Sequence, residues 1–160
     1  MFYASEVGVM LIAGLTPILS VLLRLAGLSL VTLALAHFVL PKLLGWPEDL
    51  AKLRAINRQI FYVHTAFLVV GIFLFGLVCL LAPDILVAKT PLGLVGSGCF
   101  FMCWLSRLIC QFVIFTSDIT SDLRIDKWMR VSGTMLWIFY NIVFGALFAY
   151  QCGVLGEPVK

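Results

Sequence analysis

The residues of this sequence that could do chemistry in an apolar environment are His37, His64, Arg107 and Gln111. Two neutral imidazoles from different segments could ligate the iron of a b-type haem, with Arg107 meeting a propionate. Consecutive helices joined by short loops usually pack too closely to enclose a porphyrin, which argues against this hypothesis. His37 and His64 are therefore weak candidates for a metal, and the cofactor, if one is bound, is unknown.

The second hypothesis is a pocket for a quinone or a lipid head group. His64, Gln111 and Arg107 would donate hydrogen bonds to a carbonyl or a phosphate, and Tyr62 is close to His64 in the sequence. The third hypothesis is conduction of ions or protons through both histidines and Asp118. Transporters usually show broken helices or inverted repeats, and the sequence shows neither. The competing structural interpretation is that these side chains satisfy one another inside a helical bundle.

Arg107 lies about midway along an apolar run from Leu92 to Thr116 and shares a helix face with Gln111 and Asp118. Roughly 16 Å of helix separates Arg107 from Asp118, so these two cannot pair directly. A buried guanidinium needs an acceptor, and the sequence places no acidic residue at its depth. We expect its partner to be a carbonyl or water cluster, a bound anionic ligand, or a residue of another protein.

Cysteines form a second pattern in the same run. Cys99, Cys103 and Cys110 share a helix face beside Met102, so a Cu(I) site is one interpretation. We favour the other, in which the thiols are small buried apolar groups. Disulfides are not expected, because the five cysteines lack paired spacing in loops. Catalytic motifs such as H-E-x-x-H or a Gly-rich phosphate loop are missing too, so we expect no catalytic residues and consider an enzyme less favoured.

The composition predicts that these residues belong to an integral membrane protein. Hydrophobic residues make up 62% of the 160 residues and charged residues 12%, against a usual charged fraction of about 25%. The net charge of +3, without a Lys/Arg run, excludes the nucleic-acid-binding class. A spanning helix needs roughly 20 apolar residues. Four such runs occur, at about 20–41, 60–82, 93–116 and 131–152. The predicted fold is all-α, an antiparallel bundle of four transmembrane helices in one membrane domain over residues 1–160.

The N-terminal segment is the uncertain boundary. Residues 7–44 are almost all apolar and would form a helix of roughly 57 Å, too long for one span. We therefore expect Pro17 and Arg24 to interrupt the helix. Residues 5–17 would then lie as an apolar helix in the membrane interface or, as the less favoured alternative, form a short fifth span that turns around Arg24. A cleaved signal peptide is not expected, since the N-terminus lacks a basic region and carries Glu6.

Loop charges predict the orientation. With four spans, the basic residues divide into Lys42, Lys52, Arg54, Arg58, Arg124, Lys127 and Arg130 on one side and Arg24, Lys89 and Lys160 on the other. By the positive-inside rule, loops 42–59 and 117–130 are cytoplasmic, in a cytoplasmic (inner) membrane of the bacterial type.

The first loop has helical signals of its own. Pro47 suits the first position of a helix, and Lys52 follows Glu48 by four residues. We predict a short interfacial helix over about 47–58, anchored by Trp46.

This loop and the span after it also carry a resemblance. The segment GWPEDLAKLRAINRQIFYVHTAFLVV contains the pattern W-x-E-D-L…L…N-R-Q-I-F-x-V-H. In this pattern the chain resembles a loose set of small uncharacterised bacterial membrane proteins with four spans, over about residues 24–150. The resemblance implies this architecture and carries over no activity, cofactor or site residue.

The last span contains a stripe of small residues. Gly145 and Ala149 follow Asn141 at four-residue spacing, which allows close approach of a neighbouring helix. We expect this stripe to pack against other helices or a partner, as we expect of Arg107. The aromatic residues Trp46 and Trp128 are predicted to contact the interface or a partner.

The favoured function is that of a small accessory or structural subunit of a larger membrane protein complex. Its expected partners are membrane lipid and other membrane subunits, or a second copy of the chain. The alternative is a redox-linked module that binds quinone or haem b through His37, His64, Arg107 and Gln111. A small ion- or proton-conducting protein is the second alternative.

Overall fold

The computed structural model of the chain describes the backbone of residues 2–114 and 124–155 and the side chains of residues 14–114 and 127–155. Within these residues every regular element is a helix. The helices are α1 (Phe2–Ala36), α2 (Leu40–Leu43), α3 (Trp46–Ala51), α4 (Ala55–Leu81), α5 (Pro83–Val87), α6 (Pro91–Val113) and α7 (Arg124–Gln151).

Four of the described helices are long and apolar enough to cross a membrane. Their apolar stretches are Gly14–Ala36, Ala55–Leu81, Pro91–Val113 and Lys127–Gln151. Each exceeds the roughly 20 residues that a bilayer core requires. The predicted fold class, an all-α multi-pass membrane protein with four spanning helices, is confirmed. The predicted sidedness of the loops stays a prediction.

The helix α1 corrects the expectation that Pro17 and Arg24 interrupt the N-terminal segment. α1 is continuous from Phe2 to Ala36 and includes both residues. A proline removes only its own N–H from the helix, whereas a break in hydrocarbon would leave several backbone groups unsatisfied. Arg24 does not form a turn, because its Nη1 donates a hydrogen bond of 3.0 Å to the Leu80 carbonyl at the end of α4. The fifth span turning around Arg24 is therefore wrong.

Contacts group the chain into two compact units. We call residues 23–83 the α4 unit, and residues 1–22 with 84–160 the α6–α7 unit. The prediction of a single domain stays a prediction.

In the α4 unit, two glycines bring α1 and α4 together as an antiparallel pair. A Cβ on Gly27 would lie 2.6 Å from the backbone nitrogen of Leu80 and 2.7 Å from the carbonyl oxygen of Gly76. A Cβ on Gly76 would meet Leu30 at 3.0 Å. Only glycine permits backbones to approach this closely, which is how membrane helices commonly associate.

The segment before α4 corrects the predicted helix over 47–58. α3 ends at Ala51, the backbone is extended at Arg54 with φ −56° and ψ 143°, and α4 begins at Ala55. The break lets Trp46 fold back edge-on against Phe61, with ring centroids 5.2 Å apart.

The charges of α3 pair differently from the prediction. Lys52 Nζ lies 2.8 Å from Asp49 Oδ1, whereas the expected partner was Glu48. This hydrogen bond, more than any other contact, raises the pKa of the Lys52 ammonium. Both side chains are exposed, so we assign the pair little stability.

In the α6–α7 unit, α6 and α7 form an antiparallel pair built on aromatic rings and glycines. The Thr90 hydroxyl caps α6 by accepting a hydrogen bond of 3.0 Å from Gly93 N–H. Further along, a Cβ on Gly98 would meet Phe148 at 3.0 Å, and one on Gly145 would meet Phe101 at 3.1 Å. Large rings of one helix therefore fill the space left by glycines of the other, and this contact sets the register of the pair.

Candidate functional site

The best candidate site lies where α6 and α7 meet, and we call it the arginine–indole cluster. It consists of Trp104, Arg107 and Gln111 from α6 with Trp137 and Asn141 from α7. The α6–α7 register places these side chains at one level of the helix pair. The cluster unites a cation, two indole rings and two amides, which together can recognise an oxygen-bearing group.

Arg107 is held by two neutral groups within the cluster. Its Nη1 donates a hydrogen bond of 3.2 Å to Gln111 Oε1, and its guanidinium lies over the Trp137 ring, 4.6 Å from the centroid. Gln111 is buried, at 7% exposure. The predicted stripe of Arg107 and Gln111 is confirmed as a contact between the two side chains. A bound anion or a partner protein as acceptor stays a prediction, and Asp118 lies outside the described residues.

Along the helix α6, Arg107 lies past the middle, on the side of the C-terminal end. α6 runs from Pro91 to Val113, so Arg107 lies in its last third and not midway. At about 1.5 Å per residue, its Cα is about 9 Å from the end of α6. The hydrogen bond to Gln111 directs the guanidinium towards that end, because Gln111 is one turn nearer to it. The depth of Arg107 in a membrane stays a prediction.

Behind the guanidinium, the rings continue as a stack. Trp137 stacks on Trp104 with centroids 5.5 Å apart and an interplanar angle of 15°. Trp104 in turn packs against Tyr140 at 4.4 Å. Cation, indole and indole thus form one column, in which the charge rests on the negative face of an aromatic ring.

Asn141 ties the two helices together at the level of this column. Its Nδ2 donates to the carbonyl of Trp104 on α6 at 2.9 Å and to the carbonyl of Trp137 on α7 at 2.8 Å. The predicted packing role of Asn141 thus gains a specific partner. A hydrogen bond between membrane helices is worth on the order of 1 kcal/mol.

Three polar atoms of the cluster are buried and have no hydrogen-bond partner among the described residues: Trp104 Nε1, Trp137 Nε1 and Asn141 Oδ1. Trp104 as a whole is only 8% exposed. A buried indole N–H usually finds an acceptor, and leaving such a donor unsatisfied costs about 1–3 kcal/mol. The cluster therefore holds more donor capacity than the described side chains use.

The two histidines lie in the α4 unit, and each is hydrogen-bonded to its own helix. His37 Nδ1 is 2.8 Å from the Leu33 carbonyl, and His64 Nδ1 is 2.9 Å from the Ile60 carbonyl. Because a carbonyl only accepts, Nδ1 is the donor in each of these hydrogen bonds. The contact of Leu30 with Gly76 sets the α1–α4 register, and it separates the two histidines by about 8 Å along the pair.

The remaining predicted site residues serve packing or lie at the surface. Tyr62 is exposed and meets the neighbouring Phe61 ring edge-on at 6.3 Å. Trp128 is 73% exposed, as expected of an interfacial anchor. Ala149 is half-buried on α7. No group of three or more potential metal ligands occurs among the described residues.

The cysteines correct the favoured interpretation that they are buried. All five lie within the described residues as free thiols, and Cys99 and Cys103 are exposed while Cys110 is half-buried. Cys99 and Cys103 lie beside the positions of α6 that contact α7, and a thiol is apolar enough to face lipid.

Sequence reasoning missed Gln151, which is fully buried at the end of α7. Its Nε2 donates to the carbonyls of Leu86 at 2.8 Å and Ala88 at 3.0 Å, so it joins α7 to the end of α5 and to the residue after it. The signal in the sequence was a second amide in the last apolar span, ten residues after Asn141. Trp104 and Tyr140 were also missed, because nothing local distinguishes them from other aromatic residues.

Comparison with protein-family models, curated proteins and solved structures finds no match to this chain. The resemblance to small four-span bacterial membrane proteins therefore stays an interpretation of the pattern in residues 45–70.

Proposed function

We propose that this protein is a small accessory subunit that packs against other helices in a larger membrane assembly. The observation that supports this proposal is the surface of α4. Among its 27 residues, Gly76 and Cys79 are buried, and both lie along the narrow seam with α1. Within the α4 unit, α1 covers only this seam, so most of the surface of α4 is available for contacts outside the unit.

The exposed surface of α4 carries a regular pattern. Large apolar side chains recur every seven residues and are all exposed, at Ile60, Phe67, Leu74 and Leu81. Val63 and Val70 add the intermediate positions of the same stripe, at three- and four-residue spacing. A seven-residue apolar repeat is the pattern by which one helix packs lengthwise against another. We call this face the α4 stripe and propose it as the contact with a partner helix.

The test is a comparison of two leucines on different faces of α4. Leu74, on the stripe, is 56% exposed, and Leu68, about 120° around the helix, is 57% exposed. After mild solubilisation, we expect the wild-type protein and Leu68→Ala to retain the same membrane subunit in a fixed ratio. Leu74→Ala should lose it several-fold at unchanged expression. Equal retention by the two variants, or no subunit in a fixed ratio, would contradict the proposal.

A redox-linked module is the second candidate, and one observation favours it. In both His37 and His64 the Nδ1–H is taken by a backbone carbonyl, which leaves Nε2 as the ligating nitrogen. An oxidised-minus-reduced visible spectrum of the mildly purified protein decides between the candidates. A b-type Soret band that disappears in His37→Ala or His64→Ala would establish the redox module and displace the accessory role. We expect a featureless spectrum.

A further inference from the structure

The arginine–indole cluster has donors for which neither proposed function accounts. Trp104 and Trp137 each bury an indole N–H that has no acceptor among the described residues. The Arg107 guanidinium, which lies over the Trp137 ring, adds a positive charge to the cluster. Such a set suits a ligand that offers several acceptor oxygens and a negative charge.

The position of the guanidinium limits which class of ligand can reach it. The hydrogen bond to Gln111 keeps the guanidinium between the levels of Arg107 and Gln111 along the helix axis. These two levels are about 9 Å and 3 Å from the end of α6. α6 is about 34 Å long, slightly more than the roughly 30 Å of a bilayer hydrocarbon core. A hydrocarbon core of this thickness around α6 would place the guanidinium near the boundary between acyl chains and head groups, where lipid phosphates lie.

The apolar surroundings suit a lipid better than a free anion. Cys103, one turn before Arg107 on the same face of α6, and Ile114, two turns after it, are exposed and apolar enough for acyl chains to cover. A quinone, in contrast, offers neutral carbonyls that do not require a guanidinium. A phosphate matches the planar fork of arginine through two parallel hydrogen bonds.

We propose that the arginine–indole cluster binds the phosphate group of one membrane phospholipid, with Arg107 as the anchor and the indole N–H of Trp137 as a further donor. The Trp137 nitrogen is covered in this structure, so the ring must turn for the phosphate oxygen to reach it. Gly133 leaves space beside this nitrogen, because Trp137 Nε1 lies 3.5 Å from the position of a Cβ on Gly133. Binding is therefore expected to change the fluorescence of Trp137.

The experiment titrates the full chain, stripped of lipid in detergent, with dioctanoyl phosphatidylglycerol. Bound lipid is counted by native mass spectrometry, and tryptophan fluorescence is followed in parallel. We expect saturation at one lipid per chain. Arg107→Gln should weaken binding at least about tenfold, as the loss of a charge-assisted contact does. Trp137→Phe, which keeps a ring but removes the N–H, should weaken binding less and abolish most of the fluorescence change.

Matched controls are available at the same end of the helix pair. Arg130 and Trp128 are exposed on the first turns of α7, so Arg130→Gln and Trp128→Phe should leave the affinity unchanged. Dioctanoylglycerol, which has the same acyl chains without the phosphate, should not compete, and neither should inorganic phosphate. If Arg107→Gln does not fold, the test is the comparison of lipid affinity between Trp137→Phe and Trp128→Phe.

Three results would overturn the proposal. Equal affinity of Arg107→Gln and the wild-type protein would remove the anchor. Equal binding of dioctanoylglycerol, or saturation by inorganic phosphate alone, would mean that the cluster does not recognise a lipid phosphate. Displacement of the phospholipid by a short-chain quinone at similar concentration would assign the cluster to a carbonyl ligand.

Discussion

The guanidinium of Arg107 lies over the indole of Trp137, 4.6 Å from the ring centroid, in the last third of the helix α6. This contact lets a permanent charge reside beside hydrocarbon, because the ring face supplies negative potential and Gln111 supplies a hydrogen bond. It also joins α6 to α7, since the two residues belong to different helices. The same two side chains therefore belong to the candidate site and to the packing contact between the helices.

Loss of the Trp137 ring should destabilise the α6–α7 pair. Trp137→Leu removes the stack on Trp104 and the support of Arg107, at an expected cost of about 1–3 kcal/mol. Trp137→Phe should cost less, because it retains a ring. Thermal unfolding in detergent, followed by circular dichroism, measures both. Trp128→Leu is the control, and a loss as large as that of Trp137→Leu would mean that the stack contributes nothing specific.

Gly27 should not tolerate even a methyl group. Gly27→Ala places a Cβ within 2.7 Å of the Gly76 carbonyl oxygen, so α1 and α4 must move apart. We expect a loss of about 1–3 kcal/mol in the free energy of unfolding. Gly71→Ala, also in α4, has open space around its Cβ and should be neutral or slightly stabilising. Similar unfolding midpoints for the two variants would contradict the close approach of the helices.

Asn141 should stabilise the fold as a hydrogen-bond donor, so a polar side chain that cannot donate should not replace it. Asn141→Leu removes the hydrogen bond to the Trp104 carbonyl and should cost about 0.5–2 kcal/mol. Asn141→Asp should cost more at neutral pH, because a carboxylate facing two carbonyls can donate nothing until it is protonated. Unfolding in mixed detergent ranks the variants. Asn141→Asp as stable as the wild-type protein would show that the two hydrogen bonds carry no stability.

The buried amide of Gln151 should hold the end of α5 and the residue after it in place. Gln151→Met has a similar length but cannot donate to the Leu86 and Ala88 carbonyls, so we expect a loss of about 1–3 kcal/mol. The matched control is Gln59→Met, at an exposed position of α4. Amide hydrogen exchange in residues 83–90 should quicken in Gln151→Met and stay unchanged in the control. Unchanged exchange in both variants would remove this role from Gln151.

Local sequence rules predicted those features that depend on one helix at a time. Apolar runs longer than a bilayer core predict the four spans, and four-residue spacing predicts that Arg107 and Gln111 share a helix face. The same rules were wrong for Pro17, because the penalty of a proline in water says little about a helix whose alternative is unsatisfied backbone in hydrocarbon. Local sequence rules also identified Asn141 as a packing residue but could not identify its partner, the Trp104 carbonyl, which lies 37 residues away.

The sequence by itself therefore determined that this chain is a four-span helical membrane protein with an arginine in its third span, since hydropathy and helical periodicity are properties of single segments. Only the tertiary structure decided that Arg107 stacks on Trp137, that Trp104 and Trp137 bury unused donors, and that Gln151 is a buried anchor. These facts depend on the register between helices. Register is set by glycines and rings that fit across an interface, and no single segment encodes that fit.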